Sequence, residues 1–80
     1  MASSDFRAFL SYDYDRKRLE AILATEGPEA VEAAVARMGT RSLVTVAKGG
    51  GMPEWHLQSR ETIRPWLIGR ILSAQAAPQA

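Results

Sequence analysis

The chain reads as an α+β domain, mostly helical, with three to four short helices and one β-strand at about residues 42–47. That strand is expected to pair within the chain or across a dimer. Three observations predict this. Apolar residues recur at i, i+3, i+4 in several segments. The segment from Pro28 to Gly39 carries both a helix start and a helix stop. "RSLVTVAK" is a β-branched run bounded by Thr40 and three glycines.

Taking the elements in order, Ser3 or Ser4 can cap a short first helix, with Asp5 facing the positive end of its dipole. Phe6, Phe9 and Leu10 fall on one face of it. "SYDYD" then reads as an interruption, after which Asp13 or Asp15 caps a second helix, "RKRLEAILATE", with Leu19, Ile22 and Leu23 on a common face. In the next helix Pro28 stands at the first position, Glu29 in the first turn and Gly39 beyond the last apolar residue. Val31, Ala34, Val35 and Met38 form its stripe, and the alanines at 30, 33, 34 and 36 permit close approach of another element.

The expected strand holds Leu43, Val44, Thr45 and Val46. A lone strand leaves its edges unsatisfied, so pairing with "FRAFLSYDY" or with a second copy is required. "KGGGMP" reads as a flexible connector and Pro53 as the opening of a helical turn, "PEWHLQ".

"SRETIRPWLIGRIL" is the most informative stretch. On a helical wheel Trp66, Ile63, Leu67 and Ile71 share one arc with Arg60, Arg64 and Arg70, while Pro65, Gly69, Thr62 and Ser73 make the opposite side small. Two packings fit. Either the small side is buried and the Arg/Trp/aliphatic arc faces a partner, or the arc is core and the arginine heads reach its rim. Pro65 inside a helix would cost ~3 kcal/mol, so the cheaper expectation is that Pro65 begins the helix and 59–64 is extended. Residues 1–74 then form one small domain, followed by a disordered tail at 75–80.

Composition limits function. The net charge of +1 creates no global pull toward nucleic acid or an anionic membrane. With no cysteine and one histidine, His56, thiol chemistry, disulfides and multi-histidine metal sites are excluded. Asp13, Asp15, Glu54 and His56 have no spacing that defines a metal site. Lys48 to Gly51 outlines a phosphate-holding loop but matches neither glycine-rich motif. Ser59, three residues from His56, lies on no nucleophile elbow. No cofactor and no catalysis are expected. No apolar run is long enough for a signal peptide or a membrane span, so a cytoplasmic protein is expected.

The favoured function is a non-catalytic binding or regulatory protein working through protein–protein contact, with a foreign partner or as a homodimer. Its contact residues would be Trp55, Arg60, Ile63, Arg64, Trp66, Leu67 and Arg70, since Trp and Arg are enriched at binding hot spots. The alternative is a DNA- or RNA-binding regulator using Arg16, Lys17 and Arg18 with Arg60, Arg64 and Arg70. Ser59, Thr62-Ile63, Trp66 and Gly69-x-Ile71 loosely resemble the recognition helices of small helix-turn-helix proteins such as excisionases. Pro65 departs from that pattern, which wants an unbroken helix.

Overall fold

The computed structural model describes residues 4–76. They form four α-helices and one short 3₁₀ turn: α1 (Ser4–Glu26), α2 (Pro28–Ala36), α3 (Thr40–Gly49), the turn at Trp55–Leu57, and α4 (Arg60–Ala76). Helices α2 and α3 pack along α1, and α4 closes the bundle against all three. Ser3 and residues 77–80 lie outside the described residues, while 75 and 76 continue α4 rather than beginning a tail.

No strand exists among the described residues, and the expected strand at 42–47 is α3. The β-branched run is overridden because Leu43, Val46 and Ala47 stand at i, i+3, i+4 and are fully buried on one side of that helix. A helix satisfies its own backbone, whereas the lone strand had no second strand to meet. The fold is therefore all-helical.

"SYDYD" does not interrupt α1, which runs unbroken for 23 residues. The polar stretch is held helical by i, i+3 and i, i+4 ion pairs. Asp13 receives Arg16 at 2.7 Å and Lys17 at 3.1 Å, Arg18 reaches Asp15 at 3.3 Å, and Arg16 also reaches Glu20 at 3.2 Å. Gly27, at φ 94°, then turns the chain sharply into α2. Pro28 opens α2, and Val31, Val35 and Met38 are buried along the expected stripe.

"KGGGMP" is not a flexible connector. Gly51, at φ 77°, donates its N–H to the Lys48 carbonyl (3.3 Å) and Met52 donates to that of Ala47 (2.9 Å). This is the Schellman helix stop, with its usual apolar contact between the flanking residues, Ala47 and Met52, both buried. Gly49 and Gly50 serve packing. A Cβ on Gly49 would run into the Ala8 backbone carbonyl of α1, and one on Gly50 would sit 2.6 Å from the Tyr12 ring and 2.7 Å from that of Trp66.

Helix α4 starts at Arg60, so Pro65 lies inside it and the extended segment 59–64 is not found. Ser59 accepts the N–H groups of Thr62 and Ile63, both at 3.0 Å, which sets the first turn. That turn is needed to aim Ile63 inward with Leu67 and Ile71, all three fully buried. The carbonyl that Pro65 leaves without a helical donor belongs to Glu61, an exposed residue. Only one turn of the expected "PEWHLQ" helix forms, and it is 3₁₀, following Glu54 in the left-handed region.

Candidate binding surface

On α4 the second of the two packings is realised. The apolar arc is core, the arginines lie at its rim, and the small side with Gly69 and Ser73 is exposed. Ile63 and Leu67 are therefore inside the molecule. Arg64 is half-buried and donates through Nη2 to the Met38 carbonyl at 3.4 Å, tying α4 to the link between α2 and α3. Its Nε is buried without an acceptor. Trp66 is half-buried, 6.4 Å from the Tyr12 ring, and is covered by the Arg70 guanidinium at 4.9 Å. Arg60 is exposed and pairs with the exposed Glu61 carboxylate at 3.4 Å. Such a pair contributes ~0–1 kcal/mol.

Trp55 belongs to a different place. It sits in the 3₁₀ turn with the Lys48 ammonium 5.4 Å from its ring centre and His56 edge-on at 5.5 Å. Together with Lys48, Val44 and Thr45 of α3 and Arg7, Ala8 and Ser11 of α1, it lines a groove between these helices. Trp66 lines a separate, shallower depression with Gly69, Arg70 and Ser73. The two tryptophans do not share a patch.

Arg16, Lys17 and Arg18 are at mid-helix, not at a helix start, and each holds a carboxylate of its own helix. The hydrogen bonds from Arg16 and then Lys17 hold the Asp13 carboxyl below its ordinary value, and the same contact raises Arg16. Among the described residues no group of three or more metal-ligating side chains comes together. No helix there is long and apolar enough to cross a membrane.

The surface feature that stands out was read from sequence as one helix face and not as a surface. Phe6 (54% exposed), Phe9 (50%), Leu10 (49%) and Tyr14 (69%) all reach solvent on the first half of α1. Taking Phe6 as zero on the wheel, Phe9, Leu10 and Tyr14 stand at about 300°, 40° and 80°, one strip. The buried Ala8, Tyr12 and Leu19 lie opposite, at about 200°, 240° and 220°. Large side chains of this kind carry ~150–250 Å² each, so the strip exposes roughly 400 Å². That matches the largest apolar patches on monomers, which are often functional. The sequence signal for it is the small Ala8 at the centre of the opposite face, where another backbone can come close.

Fold and surface together define a class: a small four-helix protein with an exposed aromatic strip and a cationic groove beside it. Comparison with protein-family models, with curated proteins and with solved structures finds no match for the chain.

Proposed function

We propose that the chain is a non-catalytic binding module that works through protein–protein contact, and that in the absence of another partner it associates with a second copy of itself. The observation that carries this is the α1 strip, where four large apolar side chains about half or more exposed fall on one helix face. The other exposed large apolar residue among those described, Leu57, sits by itself in the 3₁₀ turn. The contact face thus moves from α4, where the sequence suggested it, to α1.

Phe6, Leu10 and Tyr14 are spaced by four residues, one above another along the helix. An antiparallel copy centred on Leu10 sets Leu10 against Leu10 and Phe6 against Tyr14, a self-complementary arrangement of the kind twofold dimers use. A standard interface buries ~800 Å² per partner, with an apolar centre and a polar rim. The strip supplies about half of that as its centre. Polar and charged groups of α1, among them Arg7 and Lys17, would complete the rim.

The nucleic-acid reading draws less support, because Arg16, Lys17 and Arg18 are engaged by carboxylates and Arg64 by a backbone carbonyl. The proposal keeps the cytoplasmic setting expected from the sequence.

The test is molar mass by light scattering or sedimentation from micromolar to millimolar concentration. The native chain should pass from monomer to dimer, and a Phe9→Ser/Tyr14→Ser variant with unchanged helical circular dichroism should remain monomeric. A native chain that is monomeric throughout, or a variant that dimerises as well as native, overturns self-association through this strip.

A further inference from the structure

The α1 strip supplies about half of the ~800 Å² per partner that a standard interface buries, so a second copy has to gain the rest beside it. The two sides of the strip differ. Beyond Tyr14 on the α1 wheel come Arg7 and Ser11, at about 100° and 140°, a polar border. Beyond Phe9, at about 300°, comes Tyr12, at about 240°, whose ring lies 6.4 Å from that of Trp66. Trp66 is half-buried and lines a shallow depression with Gly69, Arg70 and Ser73 of α4, all three exposed. A methyl group added at Gly69 meets nothing within 4 Å, so the depression has room for a side chain from outside. The Arg70 guanidinium stands 4.9 Å from the Trp66 ring centre, and a guanidinium plane is itself a surface on which rings stack.

In an antiparallel pair centred on Leu10, the twofold axis keeps sides together: the Phe9 side of one strip meets the Phe9 side of the other. Residues equally far from Leu10 in opposite directions stand level. Phe9 is therefore within one residue, ~1.5 Å along the axis, of the second copy's Tyr12, and that Tyr12 packs beside its own Trp66. We infer that the Phe9 ring of each copy seats in the Trp66 depression of the other, so that α4 takes part in the interface beside α1. This rests on the self-association proposed for the strip and adds a reciprocal contact to it. It gives the half-exposed Phe9 a pocket, and it makes Trp66 and Arg70 contact residues although the core face of α4 is closed.

The test uses the full native chain. Light scattering gives the dimer fraction from micromolar to millimolar concentration, and ¹⁵N spectra follow the indole N–H signals of Trp55 and Trp66 over the same series. The Trp66 signal should move in step with the dimer fraction, and by more than that of Trp55. In a millimolar mixture of ¹³C-labelled and unlabelled copies, isotope-filtered NOE spectra should connect the Phe9 ring of one copy with the Trp66 ring of another. Gly69→Gln fills the depression with an uncharged side chain and leaves the strip intact. It should raise the dimer dissociation constant about tenfold, the loss of burying half a Phe side chain. Its helical circular dichroism should match native.

A chain that dimerises without a Phe9–Trp66 contact between copies overturns this inference and leaves the strip as the interface. So does a Gly69→Gln variant that dimerises as tightly as native. A larger shift at Trp55 than at Trp66 places the added contact on the Tyr14 side and overturns it as well. A chain that stays monomeric to millimolar concentration overturns both this inference and the self-association on which it rests.

Discussion

The first half of α1 and the middle of α4 carry similar apolar side chains at similar spacing, yet the bundle buries one set and exposes the other. On α4, Ile63, Leu67 and Ile71 are core and the small Gly69 and Ser73 face water. On α1 the small Ala8 faces inward and Phe6, Phe9 and Leu10 face out. The difference lies in the neighbour each helix meets. Helix α1 approaches α3 so closely at Ala8 and Gly49 that no Cβ fits on Gly49. A contact that tight selects the face of α1 that is small at Ala8, with Tyr12 and Leu19 further along it, and leaves Phe6, Phe9 and Leu10 outside. On α4 the branched side chains Ile63, Leu67 and Ile71 fill the core against the other three helices. Hydrophobicity says that a face wants burial, and fit decides which face obtains it.

The largest effect should separate the two sets directly. Leu67→Ala removes a fully buried side chain and should cost ~2–5 kcal/mol of stability in urea unfolding. Phe9→Ala, half exposed, should stay within about 0.5 kcal/mol when measured at the lowest workable concentration, where association adds nothing. Comparable losses at both sites would show that the strip is packed in solution and would break the contrast.

Glycines offer a second comparison, in which the sign of the effect is the readout. Alanine in a helix interior is ordinarily favoured over glycine by ~0.8–1 kcal/mol. At Gly69, where an added methyl meets nothing within 4 Å, Gly69→Ala should raise stability by about that amount. At Gly49 the same change must push α3 off the Ala8 backbone and should lower stability by ~1–3 kcal/mol. Thermal unfolding of both variants measures it, and two changes of the same sign would show that the α1–α3 contact is looser than described.

Which parts of this were legible in the sequence follows the same logic. Helix α2 could be read because its signals are local, Pro28 at the start and an apolar stripe after it. It stops at Ala36, however, and Gly39, expected as its stop, instead precedes the first turn of α3. Helix α3 could not, since Val44, Thr45 and Val46 favour strands by side-chain shape. Only its neighbours reward the i, i+3, i+4 set of Leu43, Val46 and Ala47. Pro65 misled for a similar reason. Its cost of ~3 kcal/mol was visible, whereas the gain from burying Ile63 was not. The three consecutive glycines looked like slack because close backbone approach leaves no mark in a single chain. Of the candidate contact residues, Trp55, Arg60, Arg64, Trp66 and Arg70 reach the surface at least in part, and Ile63 and Leu67 do not.

The smallest effect concerns what joins the two halves of α1. Asp13 stands where the chain was expected to break and accepts both Arg16 and Lys17. Those partners depress its folded pKa below the ordinary 3.8. A depressed carboxyl contributes stability that is present above its unfolded value and lost as pH falls through the folded one. Asp13→Asn should therefore lower the melting temperature slightly at pH 7, and that deficit should shrink as pH drops below about 3.8, the unfolded value. Exposure to solvent screens these pairs, so the effect should also fade in high salt. A deficit that is the same at pH 7 and pH 3 would assign it to helix propensity instead, and the continuity of α1 would then rest on Tyr12 and Ala8 packing inward.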